Sequence, residues 1–367
     1  MDIRELGIEV CAVDANKKWG IALLVLTGVC LSLVGAVTAV IDPFFHYHKP
    51  LSFLSYPLNN ERYQNDGIVR HFDYDAVITG TSMTLNFKTS ELDALFGVHS
   101  VKVSFPGAMY KEINENLEKA ARRNPDLRLI VRGLDSLWLL QDADAVGYEE
   151  SSYPTFLYDD FLLNDVYYVL NKDVLLNNTK GVLGQTLSGQ GTTSFDDYGN
   201  WNQAFSFGRD AVDAVYHRAE KAEVVQEMTQ EDREMLRKNL TQNVTELAKA
   251  YPEIDFYLFF TPYSIYYWDN LNQTGTLKKQ LQAEEEAIKL LLSCDNIYLF
   301  AFSDQFDLVC DLDHYKDEIH YSEEINSQIL RWMKDQEHLL TRENYQAYCG
   351  RVYQFYTTFD YEALFME

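Results

Sequence analysis

Two short stretches of this chain hold residue types that together can do nucleophilic chemistry. The first is Gly80-Thr81-Ser82, which closes the apolar run Asp75-Ala76-Val77-Ile78-Thr79. A sharp turn out of a strand needs glycine, and it exposes the following hydroxyl at the sheet edge. There the amides of the next turn stabilise developing negative charge. The second stretch is Asp317-Glu318-Ile319-His320. An Asp three residues ahead of a His can orient the imidazole, which then acts as general base toward a serine hydroxyl. Each pattern alone has a plainer reading, as turn or cap residues and as a surface pair near a helix start. A strand-Gly-x-Ser early and a DxxH late, with alternating strands and helices between, stand in the order that a triad on such a fold requires.

The elements that must position these residues follow from patterning. Buried-strand patterns are expected at 75–79, 101–103, 127–131, 255–260 and 297–302, with helices at 90–96, 111–123, 277–294 and 323–337. Ser90 and Gly97 fit the two ends of the helix 90–96. Strands separated by helices of this length predict an α/β fold: a parallel sheet covered on both faces. Between 142 and 224 the pattern dissolves into Tyr-, Asp-, Asn- and Gly-rich sequence, which reads as an insertion on the sheet rim. Its Tyr198 and Trp201, with Phe205, are candidates for lining a sugar cleft, the alternative being that they pack the insertion down. Thr261-Pro262-Tyr263-Ser264 follows the strand 255–260 at the edge where open α/β sheets bind ligands, so Tyr263 is a further candidate contact.

On these residues the chain resembles the SGNH (GDSL-like) hydrolase superfamily over residues 74–332. Gly80-Thr81-Ser82 is similar to the nucleophile block and Asp317-xx-His320 to the base block, while Gly107 falls where the family places an oxyanion-hole glycine. Ser82-Met83-Thr84-x-Asn86-Phe87-Lys88 and His314-Tyr315-Lys316-Asp317-x-Ile319-His320-Tyr321 look like a membrane-anchored bacterial branch. That branch is similar to surface-glycan acyl-transfer proteins, such as those that D-alanylate teichoic acid or acetylate alginate. The resemblance implies Ser82 as nucleophile, His320 as base, Asp317 as its orienting acid, and the Ser82 and Gly107 amides as oxyanion donors. It implies no cofactor and no metal. Two departures stand out. Thr81 replaces the Asp usual between Gly and Ser, and Gly133-Leu134-Asp135 stands where the family has its Asn block. An ionised Asp donates no hydrogen bond, so Asp135 is a poor oxyanion donor, and Asn86 and Asn114 are both open as substitutes.

The chain also carries an anchor. Residues 20–41 read GIALLVLTGVCLSLVGAVTAVI without a charge, long enough at about 1.5 Å per residue to cross a hydrocarbon core of roughly 30 Å. Trp19 flanks one end and Asp42-Pro43-Phe44-Phe45 stops the other. Lys17 and Lys18 precede the span, so 1–18 is expected in the cytoplasm, 19–41 in the membrane and the remainder outside the cell membrane. A cleaved signal peptide, with Val37-Thr38-Ala39 as its site, is the rival reading, but the apolar run exceeds the usual signal length. After the anchor come a juxtamembrane segment 42–70, the SGNH-like domain 71–340 and an aromatic tail 341–367 expected to pack back on the domain or near the membrane.

Composition narrows the partners. With 56 acidic against 31 basic residues the net charge is -25, which repels phosphate backbones and argues against nucleic acid. Expected partners are the lipid bilayer through 19–41, an envelope polysaccharide or teichoic-acid-like polymer, and a membrane acyltransferase. The expected activity is a serine acyl-esterase or acyltransferase. The rivals are a catalytically inactive scaffold of the same fold and a structural protein whose two patterns coincide by chance, which predicts Ser82 and His320 far apart. Cys294, Cys310 and Cys349 allow at most one disulfide among them, and His46 and His48 beside the membrane are read as interfacial rather than metal ligands.

Overall fold

The computed structural model describes residues 3–149 and 153–366, and of the helix that opens the chain its side chains from residue 16 onward. Residues 150–152, within the expected insertion, and the side chain of Cys11 lie outside the described residues. The chain divides into two compact units, one of Met1–Pro57 with Pro154–Thr192, the other of Leu58–Tyr153 with Thr193–Glu367.

The larger unit is built on a mixed α/β sheet flanked by helices. Among the described residues it has six strands: β1 (Ala76–Thr79), β2 (Ser100–Lys102), β3 (Leu129–Leu134), β4 (Asp255–Phe260), β5 (Ile297–Ala301) and β6 (Leu339–Leu340), in the order β2-β1-β3-β4-β5-β6. All neighbours are parallel except β5 and β6, and the register pairs Val77 with Val101 and Ile130, and Ile130 with Phe256. A sheet covered on both faces needs continuous apolar strands rather than alternating ones. Accordingly every residue of β1, β2 and β3 is buried, and Val77, Ile78, Ile130, Val131, Leu258, Leu299 and Phe300 form the core.

The chain runs from β1 outward to β2, then crosses to β3 on the other side of β1. That reversal makes a switch point at the carboxyl ends of β1 and β3, the place where open α/β sheets have a crevice. Ser82 follows β1 and Asp135 follows β3, so the crevice is where both lie.

Several boundaries differ from expectation for local reasons. The helix expected to start at Ser90 spans Thr89–Phe96 with Lys88 at its N-cap, because Ser90 donates its hydroxyl to Asp196 rather than capping. Gly97 does close it, in the left-handed conformation at φ 67°. β3 runs on to Leu134, past the expected 131. Glu61–His71 is a helix although its buried face carries Gln64, Asn65 and Asp66. The tail folds as a helix, Tyr345–Thr358, that buries Tyr348, Val352 and Tyr356. Cys294, Cys310 and Cys349 are free thiols.

The smaller unit holds the helix Ile3–Ile41, whose stretch Asn16–Ile41 is long and apolar enough to cross a membrane. The helix stops where expected. Asp42 adopts φ 48°, and its carboxylate accepts the amides of His46, Tyr47 and His48 at 2.9, 2.8 and 3.1 Å, folding the chain into a tight turn.

Candidate active site

Gly80 is demanded by the turn that presents Ser82. Its φ is 149°, and a Cβ there would meet Thr84 Cγ2 at 2.7 Å and Thr84 Oγ1 at 2.9 Å. The chain then coils into a short 3-10 turn, Ser82–Thr84. It is held by Thr84 Oγ1, which donates to the Thr81 carbonyl at 2.9 Å, and by Thr81 Oγ1, which accepts from the Met83 amide. Buried Lys102 braces the C-terminal side of this turn, donating its ammonium to the carbonyls of Leu85 and Phe87. Burial pulls that lysine down to about 7, against the pull of Asp196, Asp197 and other carboxylates. The result is a half-buried Ser82 on a rigid turn.

His320 arrives from a small looped hairpin. Tyr315 and Tyr321 bridge antiparallel, and the Lys316 amide donates to the His320 carbonyl at 3.0 Å. Inside this loop Asp317 accepts the amides of Ile319 and His320 at 3.0 and 2.7 Å, an Asx-type closure that fixes its carboxylate beside the ring. His320 Nδ1 lies 2.8 Å from Asp317 Oδ2 and 3.0 Å from Oδ1, and His320 Nε2 lies 2.8 Å from Ser82 Oγ. With the Nδ1 proton directed at Asp317, the Nε2 lone pair faces the serine hydroxyl. Burial alone would push Asp317 up. The hydrogen bonds and charge of His320, together with the Lys316 ammonium 2.9 Å away, outweigh it and hold Asp317 well below the usual carboxylate range. A coincidence of unrelated patterns required Ser82 and His320 to be far apart; they are in hydrogen-bond contact.

Trp201 closes this arrangement from the loop after residue 193. Its indole N–H donates to the Ser82 carbonyl at 3.0 Å, its amide to Asn86 Oδ1 at 3.0 Å, and its ring meets the His320 ring edge-on at 5.5 Å. Gly199 makes the approach feasible: its φ is 66°, and a Cβ would meet Leu85 Cδ2 at 2.6 Å. Lys316 stands over the rings of Phe205 and Trp201 at 4.3 and 5.2 Å.

Of the other residues read from sequence, Tyr198 and Tyr263 do not face a cleft. Both are 1% exposed: Tyr198 donates its hydroxyl to Asn65 Oδ1 at 3.0 Å in the core, and Tyr263 donates to Asp135 Oδ1 at 2.6 Å. Tyrosines of this size pack fully once the hydroxyl finds a partner. Trp201 alone of the three borders the serine. Gly107 lies in an exposed turn at φ 68°, next to a Phe105 amide that donates to the Gly80 carbonyl at 2.8 Å. Asn114 belongs to the helix Tyr110–Arg123, where its amide donates to Glu118 Oε1 at 2.7 Å, so it is spent on local structure. Asn86 is 1% exposed, and its amide nitrogen has no partner among the described residues.

Asp135 is where sequence reasoning saw least. Its carboxylate is buried beneath the serine turn, with Oδ2 accepting from Thr81 Oγ1 at 2.7 Å and Oδ1 from Tyr263. Thr81 and Asp135, the two departures from the SGNH pattern, are therefore one hydrogen-bonded pair. Burial pushes Asp135 up, while the Tyr263 and Thr81 hydroxyls and the charge of His320 hold it down.

No protein-family model matches this chain, and no curated protein matches it. Among solved structures it is similar to a Streptococcus pneumonia protein described provisionally as a platelet activating factor. The likeness has 12% identity and a TM-score of 0.37, over 76% of this chain and 91% of that one. A likeness of that size bears on neither activity nor substrate.

Beside the imidazole runs an open cleft of about 430 Å3, lined by Phe205, Ala211, Val215, Ile319, Lys316 and His320 among others. Its apolar walls share the cleft with the Lys316 ammonium, Asp317, Glu318, Ser206 and the imidazole, and its dimensions suit a small acyl or sugar-sized group. Among the described residues no cluster of His, Cys, Asp and Glu is arranged to hold a metal ion.

Proposed function

We propose that this chain is a membrane-anchored SGNH-like serine acyl-esterase or acyltransferase. The observation that carries the reading is the unbroken series Ser82 Oγ, His320 Nε2, His320 Nδ1, Asp317 Oδ2, with both heavy-atom gaps at 2.8 Å. In it His320 takes the Ser82 proton as the hydroxyl oxygen attacks an acyl carbonyl. Asp317 keeps the imidazole in the useful tautomer and stabilises the imidazolium that forms. The Ser82 amide and the Gly107 amide are the proposed oxyanion donors. Collapse of the tetrahedral intermediate returns the proton from His320 to the leaving oxygen and leaves an acyl-serine. Water then gives hydrolysis, and a sugar or polyol hydroxyl gives transfer. With the helix 19–41 in the membrane and the larger unit outside the cell, the proposed substrate class is an acylated envelope polysaccharide or teichoic-acid-like polymer. A membrane acyltransferase is the proposed partner.

Asp135 favours a second reading, an inactive scaffold of the same fold that binds glycan or such a partner. Its two oxygens both accept, so it supplies no amide donor to an oxyanion. A fluorophosphonate serine probe separates the two on the full chain in detergent. Labelling that Ser82→Ala and His320→Ala both abolish, in protein with the wild-type melting transition, supports the enzyme. Absence of labelling in folded wild type supports the scaffold.

A further inference from the structure

The helix Ile3–Ile41 is not bare along its whole length. Near its C-terminal end one stripe is covered: Thr38 is fully buried and Ile41 nearly so, whereas Leu33, Val37 and Val40 stay open. The cover is the segment Pro154–Thr192 of the same unit. Its Val169 and Leu170 lean on Gly35, where a Cβ would stand 3.5 and 3.7 Å from their methyl groups. Gly35 lies six residues before Ile41, so this contact is about 9 Å down the helix axis, inside the apolar stretch Asn16–Ile41. At the helix end the same segment is fixed by polar groups. Tyr168 donates to Asp42 Oδ1 at 2.7 Å, Tyr47 donates to Asp165 Oδ2 at 2.9 Å, and His46 Nε2 lies 3.3 Å from Asp165 Oδ1.

That segment turns large apolar side chains outward. Leu162, Leu163 and Leu187 are 74%, 79% and 87% exposed, and Phe161, Tyr167 and Leu176 are exposed with them. Leu176, Leu183 and Leu187 share one face of the helical run formed by Val174–Thr179 and Lys180–Leu187. Lys180 falls on that face too, and a lysine there can bury its stem while its ammonium reaches the headgroups. A cluster of large exposed apolar side chains of this kind marks a contact with membrane or protein.

We propose that residues 161–187 are embedded in the bilayer interface as a second membrane contact, with lipid acyl chains covering their apolar face. This rests on reading the helix as membrane-spanning. Lipid is the occupant because the segment packs on the apolar stretch itself, with Val169 and Leu170 against Gly35, and turns its exposed apolar side chains outward beside it. The roughly 9 Å at which Val169 and Leu170 meet the helix below its end also agrees with the roughly 5–10 Å to which interfacial amphipathic elements sink. Polar groups at the Asp42 turn, with Val169 and Leu170 below them on the apolar stretch, follow the vertical order that an interface imposes.

The test uses the full chain in phosphatidylcholine–phosphatidylglycerol vesicles, with the photoreactive residue p-benzoylphenylalanine introduced singly for Leu162, Leu176 or Leu187. The same residue in place of Leu26 reports on the helix itself. After irradiation, phospholipid adducts are mapped by mass spectrometry. Adducts at Leu26 and at all three segment positions are expected. An adduct at Leu26 with none at Leu162, Leu176 or Leu187 overturns the proposal and leaves the membrane-spanning helix standing. No adduct at Leu26 overturns the membrane reading and the proposal with it.

Discussion

Replacing Glu284 with Gln tests whether the polar interior behind the candidate site is as dry as the geometry indicates. Glu284 lies on the helix Leu277–Leu291, is 5% exposed, and accepts from Gln280 Nε2 at 3.1 Å, while the same Gln280 amide holds the Ser136 carbonyl directly after Asp135. Burial pushes its carboxyl from 4.5 up to about 7, with the Gln280 and Ser136 contacts opposing. The folded state therefore binds a proton that the unfolded chain releases between pH 4.5 and 7. Stability falls as pH rises through that window and the full cost remains above it. About 2.5 pH units at roughly 1.4 kcal/mol each give a cost of about 3 kcal/mol. Gln keeps the shape and the acceptor for Gln280 but cannot ionise. Thermal melts of Glu284→Gln and wild type in detergent should coincide at about pH 4.5 and separate progressively to about pH 8. There the variant melts higher by on the order of 6–10 °C for a unit of this size. A difference that is constant across pH, or a variant that melts lower at the alkaline end, refutes the argument.

Gly80→Ala should destabilise by roughly 2–4 kcal/mol and abolish probe labelling, because φ 149° is strained for alanine and its Cβ strikes Thr84; urea titration measures it. Asp317→Asn, which keeps the shape but loses the charge that fixes the imidazole tautomer and pairs with Lys316, should slow acylation by about 10^4 in the folded protein and also lower the melt above about pH 4. Tyr263→Phe leaves the buried Asp135 Oδ1 without its donor and should cost about 1–3 kcal/mol, read by denaturant titration. Trp201→Phe removes the bond to the Ser82 carbonyl at a stability cost of about 1 kcal/mol. Its labelling rate should fall more than its melting temperature does, because the loosened segment is the serine turn itself.

Much of the fold is legible in the sequence, as are the two stretches that meet at the candidate site. The strand at 255–260 emerges from its apolar run with the same boundaries, and Gly97 as a helix terminator emerges from the need for a left-handed residue. Gly-x-Ser and DxxH are legible because their geometry is local: a turn and an Asx-type loop are written in adjacent residues. The helix Glu61–His71 is not, because its buried face pairs Asn65 with the Ser104 carbonyl and Asp66 with Lys119, so polar groups occupy the stripe where periodicity looks for apolar ones. The two-residue β6 is too short to show a period. Trp201 looks like one aromatic among many, and its place beside Ser82 depends on Gly199 and a partner 119 residues away. Tyr198 and Tyr263 look identical to cleft-lining tyrosines in sequence; only the acceptors Asn65 and Asp135 tell that they are interior. Asp135 and Thr81 read as two separate departures, since nothing in one-dimensional order couples positions 54 apart.

The hydroxyl and the imidazole that meet at 2.8 Å are 238 residues apart in the chain. A growing polypeptide therefore holds only half of the pair for most of its synthesis, and any product that ends before the final looped hairpin lacks the imidazole. Closing so long a loop is slow compared with forming local contacts, so the pair is assembled late in folding. On the proposed reading, ester-cleaving power would then belong only to a molecule synthesised past His320 and folded, which would spare the cell a reactive serine on truncated or half-folded copies.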